Sequence, residues 1–107
     1  MAWFITRVEL HYATDTDYTF LHAVMAINGF LRTITSDERV TYHLPPAEYF
    51  REGNLTRHQV LEFAKAAAKV TGRKFSIVVT ETPGVSWFGL EKVDTPSPYR
   101  ARLLTTT

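Results

Sequence analysis

The chain has 107 residues, of which 45% are hydrophobic and 21% charged, a balance typical of one folded domain and not of a disordered chain. Twelve lysines and arginines against eleven acids give a net charge of +1, so no strong overall field favours nucleic acid or a membrane surface. The absence of cysteine excludes disulfides, thiolate metal sites and a cysteine nucleophile. The sequence has no apolar run near the ~20 residues of a membrane span and no signal-peptide pattern, so we expect a cytoplasmic protein.

The first predicted element is a strand over residues 3–12, where side chains alternate in character. The more apolar set is predicted to face the core: Phe4, Thr6, Val8, Leu10 and Tyr12. The other set is predicted to lie on the opposite face: Trp3, Ile5, Arg7, Glu9 and His11. A helix over 15–28 follows, with Thr14 and Asp17 as its capping box and Gly29 just beyond its end.

Two further strands, at 30–35 and 39–44, are predicted to form a hairpin around the polar turn 36–38. Pro45 and Pro46 end this ladder because proline donates no backbone hydrogen bond. Residues 47–55 are predicted to be the longest connection in the chain.

A second helix is predicted from Thr56, whose capping box Gln59 completes, to the residue before Gly72. A strand over 74–82 follows, and 85–93 is a candidate edge strand with Gly89 as a bulge. The last stretch, 94–107, has no periodicity and is predicted to be a tail.

This order of elements, βαββαβ, predicts a single α+β domain over residues 1–93 with a ferredoxin-like fold. Both helices should cover the same face of an antiparallel sheet, because each follows a right-handed crossover. The first and third strands (3–12 and 39–44) are predicted to be the central pair, and the other sheet face is left open.

The open face is predicted to combine Arg7, Glu9 and His11 of the first strand with Arg39 and His43 of the third. Such a mixture suits proton transfer and phosphate binding. The alternative is that these residues are ordinary cross-strand pairs on a solvated face. Arg51 and Arg57, near the start of the second helix, are further candidates for anion binding, or else belong to a solvated loop.

Apolar residues outside the predicted core favour a homodimer, since a second copy of the chain would cover them. Trp3 and Ile5 lie on the open face, and Trp87 and Phe88 lie on the last strand; simple packing of the latter pair at the core edge is the alternative. His22 and His58 are predicted to be surface residues of the helices, and no metal site or cofactor is expected.

Several segments resemble the GhoS-like endoribonuclease antitoxins of type V toxin–antitoxin systems. They are ITRVELHYA, GFLRTI, VTYHLPPAEY, NLTRHQVLEFAKAAAKVTGRKFSIVVTE and the closing strand, and together they span about residues 3–93. The resemblance implies a ferredoxin-like fold and cleavage of a toxin's messenger RNA. It also implies a catalytic acid near the end of the first strand, where this chain has Glu9 and the pattern would have aspartate.

Two functions therefore remain open. The first is an RNA-binding endoribonuclease acting on single-stranded RNA, with Glu9 or His11 as the base and Arg7 or Arg39 holding the phosphate. The second is a non-catalytic module, an inhibitor or antitoxin, that binds a protein partner through an apolar surface.

Overall fold

The computed structural model describes residues 1–93, and the predicted tail at 94–107 lies outside these residues. The elements are β1 (Ala2–Leu10), α1 (Asp15–Ile27), β2 (Thr33–Thr35), β3 (Thr41–His43), β4 (Glu48–Gly53), α2 (Arg57–Lys69) and β5 (Phe75–Thr82). In the main sheet β1 lies between β4 and β5 and is antiparallel to both, while β2 and β3 form a separate hairpin. The predicted ferredoxin-like α+β fold is confirmed.

The alternation predicted for β1 is confirmed over the length of the strand. Phe4, Thr6 and Val8 have no solvent exposure, and Leu10 is 5% exposed. Tyr12 was predicted to extend this buried face, and that prediction is wrong: its side chain is 95% exposed. The strand ends at Leu10, and the chain turns at Tyr12 through a left-handed φ of 56° to enter α1.

Both predicted capping boxes are present. Thr14 Oγ1 accepts a hydrogen bond from the Asp17 N–H at 3.2 Å, and the Asp17 carboxylate accepts one from the Thr14 N–H at 2.9 Å. Thr56 and Gln59 form the same reciprocal pair at the start of α2. These bonds satisfy backbone donors that the first turn of a helix leaves unpaired, and they fix where each helix begins.

The two helices pack on the same face of the main sheet. Side chains of both join Phe4 and Val8 of β1 in one buried cluster: Leu21 and Met25 from α1, and Val60, Ala64, Ala67 and Ala68 from α2. The small alanine side chains let α2 lie close to its neighbours. The opposite face of the sheet is not covered by either helix.

The largest correction concerns residues 47–55, which were predicted to be a connection. Residues 48–53 form β4, and this strand, not the 39–44 segment, pairs with β1. The turn after Pro46 places Ala47 at a φ of 72°, and the Ala47 carbonyl accepts the Val8 N–H at 2.9 Å. The third strand of the ferredoxin-like motif is therefore β4, and the β2–β3 hairpin forms a separate sheet between α1 and β4 in the chain.

The outer segments also differ from the prediction. The hairpin of 30–35 with 39–44 is confirmed, but its paired strands are only three residues each. Leu31 continues the main sheet beyond β4 through a single bridge to Phe50, with N–O distances of 2.8 and 2.7 Å. The predicted edge strand at 85–93 does not form as a strand; it contributes one bridge, from Lys92 to Tyr42 of the hairpin.

Candidate functional site

The open face of the main sheet is the part of the fold that the helices leave accessible. Residues paired directly across an antiparallel ladder share a face, so the register defines its members. From β1 these are Trp3, Ile5, Arg7 and Glu9; from β4, Glu48, Phe50 and Glu52; from β5, Ser76, Val78, Thr80 and Thr82. The face has a charged end at Arg7 and Glu9 and an apolar end at Trp3 and Phe50.

The charged end is a row of side chains that alternate along one strand. We name Arg7, Glu9 and His11 the polar row. His11 lies just past the end of β1, but its N–H still bonds the Lys74 carbonyl at 2.8 Å. Its imidazole Nε2 lies 3.0 Å from the Oγ of Ser76, the β5 residue that pairs with Glu9. The polar row thus continues to the end of the sheet, with its groups about 7 Å apart along the strand.

Two of the three members of the polar row are open to solvent. Glu9 is exposed, and within residues 1–93 its carboxylate forms no ion pair. Arg7 Nη1 lies 3.8 Å from Glu48 Oε2, with 59% of the Arg7 side chain exposed, so this pair is loose and screened. The guanidinium therefore remains accessible to an anionic ligand.

The other predicted RNA-binding residues do not join the polar row. Arg39 and His43 were predicted to flank β1, but β4 occupies that place, and both residues lie on the hairpin. Arg39 is in the hairpin turn at a φ of 68°, and the His43 N–H bonds the Glu91 carbonyl. The predicted juxtaposition of Arg39 and His43 with Glu9 is wrong for this reason.

Arg51 and Arg57 are separated from each other and from the polar row. Arg51 lies opposite Phe4 on the helix side of the sheet, where its Nε donates to the Asn28 carbonyl at 3.1 Å. Its guanidinium carbon also lies 5.9 Å from the centre of the Phe30 ring. These contacts hold Arg51 in a structural position. Arg57, the first residue of α2, is exposed to solvent.

The apolar end of the open face forms one side of a cavity of about 580 Å³. We name it the hairpin cavity, because the hairpin and residues 85–87 form its other side. On the sheet, the Trp3 and Phe50 rings meet edge to face with centroids 6.1 Å apart. On the other side, Tyr42 and Trp87 form a second such pair at 5.5 Å. Leu31, 53% exposed, lies between the sheet and the hairpin and extends the apolar lining.

The four residues predicted for a dimer interface fall into two groups. Trp3 and Trp87 line the hairpin cavity, although they are distant in sequence. Ile5 lies half-buried on the open face, opposite Phe50, while Phe88 is fully exposed. The exposed apolar surface is therefore continuous from the sheet to the hairpin cavity at Trp3.

A buried polar pair was not predicted. His22, expected on the surface, is half-buried, and its Nδ1 lies 2.6 Å from the hydroxyl of fully buried Tyr49. Burial lowers the pKa of His22, helped by the charge of Arg32, so the neutral ring accepts a hydrogen bond from the Tyr49 hydroxyl. Burial likewise raises the pKa of Tyr49 well above its usual range. The pair joins α1 to β4. It could not be predicted from the sequence, because residues 47–55 were not recognised as containing a strand.

Comparison with known proteins found no match to a family model and none to a curated sequence. Within residues 1–93, histidine and carboxylate side chains do not gather in any group of three that could hold a metal ion. In the same part of the chain, no helix has both the length and the apolar character needed to cross a membrane.

Proposed function

We propose that the protein is an RNA-binding endoribonuclease of the antitoxin type that acts at the polar row. The observation that carries the proposal is that Arg7, Glu9 and His11 follow one another at alternate positions along the uncovered face of β1 and just past its end. Breaking an RNA backbone needs a base at the 2′-hydroxyl, an acid at the leaving oxygen and positive charge at the phosphate. The polar row supplies one residue of each kind.

The roles follow from the surroundings of each side chain. Glu9, an exposed carboxylate, is the base that removes the 2′-hydroxyl proton, and His11, held by Ser76, is the acid. Arg7 neutralises the phosphate by exchanging its loose pairing with Glu48 for a phosphate oxygen. A flat exposed face admits single-stranded RNA, and we place the substrate, a toxin transcript, in the cytoplasm on the basis of the sequence resemblance.

The test is cleavage of a single-stranded RNA by purified Glu9→Gln protein beside a matched variant. Glu81→Gln is the control, because Glu81 is an exposed β5 residue that pairs with Phe4 and so lies off the open face. Glu9→Gln should lower the cleavage rate on the order of a hundredfold or more, since a positioned base contributes that much. Glu81→Gln should leave the rate unchanged. RNA left intact by the unaltered protein, with and without a divalent metal, would refute the proposal.

A second candidate function is a non-catalytic module that binds a protein, including a second copy of itself. The observation that favours it is the uncovered apolar end, where Trp3, Leu31 and Phe50 adjoin the hairpin cavity. Arginines and histidines predicted for RNA are also dispersed over three parts of the described chain. An apolar interface of this kind would form with little dependence on salt.

Light scattering and salt titration separate the two candidates. A homodimer through the open face should dissociate in Ile5→Glu, because the variant places a charge in the buried interface. RNA binding should weaken steeply as salt rises, while binding of a partner through the apolar end should not. A monomer at high micromolar concentration would remove the homodimer.

A further inference from the structure

The hairpin cavity has the size of a small-molecule site and two aromatic walls. Its volume, about 580 Å³, lies within the range of ligand pockets. The sheet contributes the Trp3–Phe50 pair, and the hairpin with residues 85–87 contributes the Tyr42–Trp87 pair. An aromatic ring carries partial negative charge on its face and attracts a cation there, most strongly at tryptophan.

All the charged side chains that line the cavity within the described part of the chain are acidic. They are Asp37, Glu38 and Glu52, and no lysine, arginine or histidine accompanies them. None of the three forms an ion pair with another residue of the 1–93 range. In a chain of net charge +1, the lining of this cavity is thus a local concentration of acidic side chains.

We propose that the hairpin cavity is a binding site for a small organic ammonium ion, a cation whose charge sits on an alkylated nitrogen. The ring faces and the carboxylates would both attract its charge, and the apolar lining at Leu31, Ile34 and Val85 would remove its alkyl groups from water. The polar row lies outside this cavity, so the proposal does not depend on RNA cleavage.

Other classes of occupant fit the same lining less well. A phosphate or other anion would meet three carboxylates and no basic group of residues 1–93. A bare metal ion would need several converging ligands, and no group of three suitable side chains exists in that range. A neutral apolar molecule would gain nothing from the carboxylates.

A pair of isosteric probes tests the charge requirement. Choline and 3,3-dimethyl-1-butanol have the same shape, but a carbon replaces the charged nitrogen in the alcohol. The chain's two tryptophans, Trp3 and Trp87, both line the cavity and report binding by their fluorescence. Choline should change the fluorescence saturably, with a dissociation constant in the millimolar range. The dissociation constant of the alcohol should be about tenfold or more higher. Equal binding of both probes, or no saturable change with choline, would overturn the proposal.

Matched variants locate the site. Glu52→Gln should weaken choline binding by about threefold or more and leave the alcohol unaffected, while Glu81→Gln, outside the cavity, should change neither. Equal weakening by both would mean attraction to the protein as a whole and would contradict the site. Trp87→Leu should weaken choline about tenfold and Trp87→Phe should restore most of the affinity, with Trp3 as the remaining reporter. Melting curves show whether the Trp87→Leu variant folds. If that variant does not fold, the two single variants Trp87→Phe and Glu52→Gln decide the outcome.

Discussion

The two faces of β1 carry alternate residues of the same nine-residue strand, yet they are in different environments. On one face Phe4, Thr6 and Val8 are fully buried beneath both helices. On the other, Trp3 is 39% exposed, and Arg7 and Glu9 are open to solvent. The two faces therefore have different roles. The helix-covered face contributes packing energy to the fold, and the open face can carry polar and charged groups. Substitutions at neighbouring positions should therefore have very different consequences.

Truncation of an aromatic residue on each face gives the largest expected effect. Phe4→Ala should destabilise the protein by about 3–5 kcal/mol, because it removes a fully buried ring from a close-packed cluster. Trp3→Ala should cost much less, about 1 kcal/mol, because its ring is partly solvated and contacts Phe50 at an edge. Urea unfolding of both variants measures the difference. Similar losses at the two positions would contradict the division between the faces.

Threonine to valine substitutions probe the same contrast with a smaller change. Thr6 Oγ1 is buried and has no hydrogen-bond partner within residues 1–93. Thr6→Val should therefore raise stability by about 1 kcal/mol, since it removes an unsatisfied hydroxyl from the core. Thr80 lies opposite Ile5 on the open face, and Thr80→Val is the control. Its free energy of unfolding should stay within about 0.5 kcal/mol of that of the unaltered protein. A destabilising Thr6→Val would indicate that the hydroxyl is satisfied in solution.

Acid pH should lower the stability of the folded protein through His22, which lies on the helix-covered side of the sheet. Burial lowers the pKa of His22 in the folded protein below the ordinary histidine value of 6.5, so the unfolded chain binds the proton more readily. This contribution to stability is full above pH 6.5 and is lost as pH falls through that value toward the lower folded pKa. Melting temperature against pH should show the loss in the unaltered protein and less of it in His22→Gln. His58→Gln, at an exposed position of α2, should behave like the unaltered protein.

The smallest effect is expected at the polar row. Glu9→Gln should change the free energy of unfolding by less than about 0.5 kcal/mol, because the side chain is exposed and unpaired among the described residues. Thermal melting beside the RNA cleavage assay checks this. A large loss of stability would place Glu9 among the structural residues and remove it from the proposed site.

Local signals in the sequence were enough to predict β1, both helices and β5. Alternation reported the buried face of β1 as far as Leu10, and Thr14 and Thr56 marked the helix starts through their capping boxes. These features depend on contacts within a few residues of one another. The ferredoxin-like fold was then predicted from the order of these elements. It was predicted correctly although the sequence pattern favours residues 39–44, and not β4, as the third strand.

β4 could not be recognised in the same way. It follows Pro45 and Pro46 and contains two glutamates and an arginine, so only Tyr49 and Phe50 indicate a strand. The hairpin segment at 39–44 has the stronger local pattern but lacks the long-range pairing with β1. The polar row was predicted because its members alternate along β1 and just past its end. The hairpin cavity was not, since it depends on how the hairpin and residues 85–87 sit against the sheet.

The two sides of the hairpin cavity should also differ in how fast they exchange their amide hydrogens. On the sheet side, β1 is bonded to a neighbour along both edges. The hairpin strands are three residues long, and two further bonds, His43 N–H to the Glu91 carbonyl and Val93 N–H to the Thr41 carbonyl, attach residues 91–93 to them. Short ladders of this kind open more readily than central strands. Deuterium should enter at 41–43 and 91–93 together and early, and a cation held in the cavity should slow that entry while leaving β1 unchanged.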